Sequence, residues 1–158
     1  DTFSPDTTIT RAQFATMFYR LAGSPEASEN SKFTDLTQDW YKKAVSWASS
    51  NGILNGTGDT TFSPDDVITR EQIAAIFYRY AKSRGIDVSE VSSGLDSYND
   101  YDEIADYAKV PVVWCFNENV MFIHSVNGYE YAIYPKVAPT RADTATMFWK
   151  FAYVLNNN

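Results

Sequence analysis

The sequence predicts an all-α protein made of helix-loop-helix repeats, through a self-match, a recurring helix-start signal and a recurring apolar stripe. Residues 2–22, TFSPDTTITRAQFATMFYRLA, match residues 61–81, TFSPDDVITREQIAAIFYRYA, without a gap. A looser third copy runs over residues 133–152, IYPKVAPTRADTATMFWKFA. An internal period of this kind points to the architecture directly, because a unit too small to bury its own apolar face must share a core with its neighbours.

The first element is a helix after Thr10, whose hydroxyl can accept from the backbone N–H three residues on, with Gln13 completing a capping box. Phe14, Met17, Phe18 and Leu21 follow at i, i+3, i+4 and i+7, which draws one apolar face. A second helix is expected over 39–51, with Trp40, Ala44, Trp47 and Ala48 on one side and Gly52 placed to stop it. After Thr69 and Gln72 the first pattern returns as Ile73, Ile76, Phe77 and Tyr80. Residues 83–102, rich in Ser, Gly and Asp, then read as a surface connection. A weaker helix spans 107–120, where Trp114 takes the place of Trp47 and Pro111 implies a late start or a kink. The loop that follows is longer by four residues, and apolar runs around Asn127-Gly128 predict a small β-hairpin at about 121–134. The last helix begins after Thr140, with Asp143 in the capping position and Thr144, Met147, Phe148 and Phe151 as its stripe. Three such stripes are most simply buried around one shared axis.

Composition narrows the function. The 158 residues are 44% hydrophobic and only 21% charged, which suits a folded chain rather than a disordered one. A net charge of −7 argues against nucleic acid or anionic lipid as partners, so any acidic ligand must be held locally. No stretch approaches the roughly 18 apolar residues of a membrane span, and membrane insertion is not expected. The single cysteine, Cys115, lies among Val112, Val113, Trp114 and Phe116 and reads as a buried hydrophobe. Asp1 carries no signal-peptide pattern, yet the chain enters in mid-repeat, which suggests a piece of something longer.

FTDL followed by WYKKAVSWASSNGILNG and FSPDDVITREQIAAIFYRYA closely resembles the S-layer homology motif. The strongest points are Phe33 to Asp35, the Trp40-Tyr41 pair, Gly52 to Gly56 and Ile68 to Glu71. On this resemblance residues 1–23 are the second half of a first repeat and 33–82 a second repeat. Residues 83–97 are then a linker, and 98–155 a divergent third repeat. The resemblance implies a pseudo-threefold bundle that holds a secreted bacterial protein, the cargo on the same polypeptide, to the cell wall at the surface (S-layer). The implied partner is cell-wall polysaccharide, pyruvylated in many members.

The family's binding arginine falls on Arg11, Arg70 and Arg141, each opening a helix. A guanidinium there, beside free N–H groups and the positive end of the helix dipole, would hold a ketal carboxylate in bidentate fashion. The bland alternative is pairing with nearby acids such as Asp65 or Asp66. Asp35 could cap a turn or accept sugar hydroxyls, Trp40 could cover a pyranose face or pack inward, and Gly56 could let a sugar approach the backbone. In the third copy Asn119 and Ile123 replace Gly52 and Gly56, and Pro139 replaces Ile68, so its site is expected to be altered.

No catalytic constellation emerges: there is one His and one Cys and no phosphate-binding glycine loop. The acidic run Asp96, Asp100, Asp102, Glu103 and Asp106 reads as a solvated linker and helix start. His124 has no partner at ligand spacing. No enzyme, cofactor or metal site is expected. The rival reading is a structural or protein-interaction module of the same fold that has lost polysaccharide binding.

Overall fold

The computed structural model describes residues 2–89, 94–125 and 131–157. Five α-helices occur among them: α1 (Arg11–Leu21), α2 (Asp39–Ser50), α3 (Arg70–Ser83), α4 (Lys109–Asn117) and α5 (Arg141–Asn157). Short 3₁₀ turns at Leu95–Ser97, Tyr101–Glu103 and Asp106–Ala108 lead into α4.

The helices start where their caps predict. In α1 the Gln13 N–H donates to the Thr10 hydroxyl at 3.2 Å while Gln13 Oε1 accepts from Thr10 N–H at 3.0 Å. Thr69 and Gln72 repeat the exchange at 3.4 and 3.3 Å. At α5, Asp143 accepts from both the Thr140 N–H and its hydroxyl, so a carboxylate serves as well as the amide. Pro111 sits in the first turn of α4, where a missing N–H is harmless, and the helix accordingly starts late.

The stops are conserved in geometry although not in residue. Gly52 after α2 has φ +65°, and Asn119 after α4 has φ +57°. Ile53 N–H returns to Ala48 O at 2.9 Å and Val120 N–H to Cys115 O at 2.8 Å, the same closing bond in both. Asparagine tolerates the left-handed region, so its substitution for glycine leaves this backbone intact.

The face assigned to α2 needs correction. Tyr41, Ala44, Val45 and Ala48 are buried, whereas Trp40 is 54% exposed and stands edge-on to the Tyr41 ring. The Tyr41 hydroxyl turns inward and accepts from Thr37 and Gln38 N–H.

Strands β1 (His124–Ser125) and β2 (Tyr131–Ala132) pair antiparallel, His124 opposite Ala132. The Asn127-Gly128 turn expected to join them lies outside the described residues, as does the side chain of His124. The chain as described is mostly helical.

Two compact units are present: Thr8–Ile68, and Asp1–Thr7 with Thr69–Asn158. In the first, Trp47 of α2 lies against Phe18 and Tyr19 of α1, and Phe33 against Phe62. In the second, Phe77 of α3 stacks on Phe151 of α5 at 4.2 Å and meets Phe148 edge-on, while Trp114 of α4 meets Tyr78. Thus α3 and α5 join their stripes as expected. The expectation of one axis for α1, α3 and α5 concerns the relation between the units, and neither unit by itself speaks to it. Cys115 is fully buried beside the Ala74 carbonyl, and burial pushes its thiol pKa up.

Candidate functional site

Each of the three arginine-bearing helices opens onto a loop in the same way. Arg11 and Ala12 N–H donate to Asp66 and Pro64 O at 2.8 and 3.0 Å. Arg70 and Glu71 N–H donate to Val137 and Pro135 O, both at 3.0 Å, and Arg141 and Ala142 N–H to Thr7 and Pro5 O at 2.7 and 3.1 Å. With the threonine cap engaging the next N–H, the first three helix donors are all occupied. The sequence expectation of free N–H groups for an anion therefore does not hold in this state. What remains of the helix end is its dipole.

The guanidinium groups extend the pattern. Arg11 Nε donates to Phe62 O at 2.9 Å and Nη2 to Asn55 O at 2.8 Å, with Cζ 4.7 Å from the Phe62 ring centre. Arg70 Nε donates to Ile133 O at 2.8 Å and Nη2 to Phe122 O at 2.6 Å, with the Phe122 ring at 5.7 Å. Arg141 Nε donates to Phe3 O at 2.8 Å, over the Phe3 ring at 5.3 Å. Phe62, Ile133 and Phe3 hold the same place in the three copies. Each arginine thus grips the loop of the next copy, and the third returns to the first.

Burial separates the three. Arg11 is 5% and Arg70 2% exposed, whereas Arg141 is half-buried. Arg70 Nη1 is enclosed and has no hydrogen-bond partner among the described residues. Burial lowers its pKa to about 10, against the opposing pull of Asp143 and Asp100, so the guanidinium stays charged at neutral pH. An enclosed cationic donor lacking an acceptor is costly, and an anion is the natural remedy.

The other predicted site residues have structural partners. Asp35 accepts from Phe62 N–H at 2.9 and 3.0 Å and from Ser63 N–H at 2.7 Å, which fits the turn-capping alternative. Ser63 is left-handed at φ +57°, as are Ser4 and Tyr134 at the same loop position. Gly56 is required by its own surroundings, since a Cβ there would collide with the Phe33 ring and the Thr61 carbonyl. Trp40 remains available at the surface.

Asp100 was missed as a counterpart of Asp35. Its carboxylate accepts from Ile133 N–H at 3.1 Å and Tyr134 N–H at 2.7 Å, so it is a loop clamp rather than part of a solvated run. The signal was present in Tyr98-Asn99-Asp100, which repeats the aromatic-x-Asp of Phe33-Thr34-Asp35. Glu71 is a second such residue. It is buried and accepts from Ala105 N–H and the Tyr107 hydroxyl, with Lys136 Nζ at 2.7 Å.

Among the described residues no cluster of His, Cys, Asp or Glu is arranged to hold a metal, and no helix is long and apolar enough to cross a membrane. Compared with known families, residues 1–15 and 32–74 match the S-layer homology domain. The chain is 32% identical over 157 residues to an exoglucanase of Acetivibrio thermocellus, across 98% of this chain and 14% of that protein. It is 35% identical over 99 residues to the cellulosome-anchoring protein of the same organism, across 60% of this chain and 21% of that one. Against the surface-layer 125 kDa protein of Lysinibacillus sphaericus it is 30% identical over 149 residues, across 92% and 12%. The chain therefore spans about a fifth or less of these relatives.

Proposed function

Because the chain belongs to the S-layer homology family, we propose that it anchors the protein that carries it to the bacterial cell envelope, at the cell surface, by binding an acidic wall polysaccharide. The relatives support envelope anchoring: they include surface-layer and anchoring proteins, and an enzyme in which the matching segment is a small part. Catalysis then belongs to the cargo and not to this segment.

The observation that carries the ligand reading is the enclosed, charged and unpartnered Nη1 of Arg70. A ketal carboxylate of a pyruvylated sugar would supply the missing acceptor, and Trp40 offers an exposed ring for a pyranose face. The carboxylate reaches Nη1 only when the side chains enclosing it shift.

A second reading has its own observation. Arg11 and Arg70 already hold two loop carbonyls each, a sufficient structural reason for an arginine at those positions. On that reading the module keeps the fold and interacts with protein or with nothing.

Wall sacculi separate the two. Retention before but not after hydrofluoric-acid removal of secondary polymers supports polysaccharide binding, and absence of retention on untreated native sacculi defeats anchoring. Arg70→Ala removes retention more than Arg141→Ala when both are assayed below their unfolding temperatures. Equal and negligible losses defeat the assignment to Arg70.

A further inference from the structure

The grip of each arginine-bearing helix on its loop is made to main-chain carbonyls. Arginine Nε donates to the carbonyl of Phe62, Ile133 or Phe3, and the first two helix N–H groups donate to two more carbonyls of the same loop. Every loop offers those carbonyls, so these bonds hold a loop without choosing one. Choice has to come from side chains.

Two positions vary together among the copies. The residue after the arginine is Ala12, Glu71 or Ala142, and its N–H donates to the loop proline, Pro64, Pro135 or Pro5. The residue after that proline is Asp65, Lys136 or Asp6. Helices with alanine thus hold loops with aspartate, and the helix with glutamate holds the loop with lysine. Asp65 and Asp6 are exposed. The Glu71 side chain is only 5% exposed, and its Oε1 lies 2.7 Å from Lys136 Nζ and accepts from the Tyr107 hydroxyl at 3.3 Å. Its Oε2 accepts from Ala105 N–H at 3.0 Å, so the carboxylate is fixed in place on both sides.

We propose that Glu71 is a selectivity residue of the repeat array: with Lys136 it fixes which of the three loops α3 accepts, by rejecting a loop that carries aspartate after its proline. An aspartate in the place of Lys136 would set a second carboxylate beside a buried one that water cannot reach to screen. The reverse mismatch is mild, because Lys136 on a helix with alanine would lose a partner and meet no like charge. Discrimination therefore resides in Glu71. Ala105 and Tyr107 precede α4 in the same copy as Lys136, so the one carboxylate reads two segments of that copy. Near-identical helices and loops make mispairing the characteristic hazard of a repeat chain, and this pair removes the mispairings that involve α3. The inference does not depend on polysaccharide binding.

The test is amide hydrogen exchange by NMR on the whole chain, read at the Arg70 and residue-71 N–H groups that donate to the loop. Lys136→Ala, which only removes a half-exposed ion pair, should speed exchange there by about fivefold or less. Lys136→Asp should speed it by about tenfold more than that, because it adds a like charge. Combining Lys136→Asp with Glu71→Gln, which removes the charge and keeps the shape, should return exchange to within about threefold of the Lys136→Ala level. Equal exchange in Lys136→Asp and Lys136→Ala overturns the proposal, as does a double variant that exchanges as fast as Lys136→Asp alone. If Lys136→Asp does not fold, circular dichroism decides: folding regained in the double variant supports the proposal, and folding not regained overturns it.

Discussion

Burying a guanidinium is unfavourable unless its donors find acceptors, and Arg70 meets that condition for two of its three nitrogens. Losing two charge-assisted bonds while opening a cavity, Arg70→Ala should lower stability by about 2–3 kcal/mol. The half-buried Arg141, with one such bond, should cost about 1 kcal/mol or less on the same substitution. Urea denaturation checks the ranking, and thermal melting sets the temperature below which binding losses at the two sites can be compared fairly. Cys115 gives an independent probe: its raised pKa and full burial predict that Ellman's reagent labels it only as fast as the chain unfolds. Labelling within seconds in native buffer would contradict that placement. Residue identities in the sequence revealed the arginines and the cysteine but not their partners. Asp100 shows why: an acidic residue in an acidic run looks solvated until the loop that it clamps, more than thirty residues away, is brought to it.

At the scale of elements, local chemistry was enough to place the helix starts and stops. Caps and stops act over a few residues, so Thr10, Thr69, Thr140, Gly52 and the Pro111 late start could all be read from neighbours in sequence. Removing the cap hydroxyl with Thr69→Ala should cost about 1 kcal/mol, measured by denaturation, because Gln72 N–H loses its acceptor. Asn119→Gly should be neutral or stabilising by a few tenths of a kcal/mol, since the position is already left-handed; a marked loss would mean that the Asn119 side chain matters more, through its bond to Lys150. The α2 face was only half legible. Trp40 and Tyr41 are adjacent, and periodicity placed the wrong one inside, because an amphipathic pattern fixes a face to within one residue and packing selects between the two.

For the whole molecule, the acidic balance makes a prediction about binding. A chain of net charge −7 approaching an acidic polymer is repelled at long range while being held locally by a guanidinium. Retention on sacculi should therefore rise as salt increases from about 10 to about 100 mM, where the screening length falls from ~30 to ~10 Å. Retention that falls steeply over that range would point instead to a basic binding patch and against the proposed site.

The sequence by itself determined the repeat, the five helices with their caps and stops, and the family, because these are written in periodicity and in contacts between near neighbours. Only the tertiary structure decided what the arginines hold and that Asp35 and Gly56 serve the loop itself. The physical reason is separation along the chain. The Arg141 bond to Phe3 O joins residues 138 apart, and no local pattern encodes such a partner.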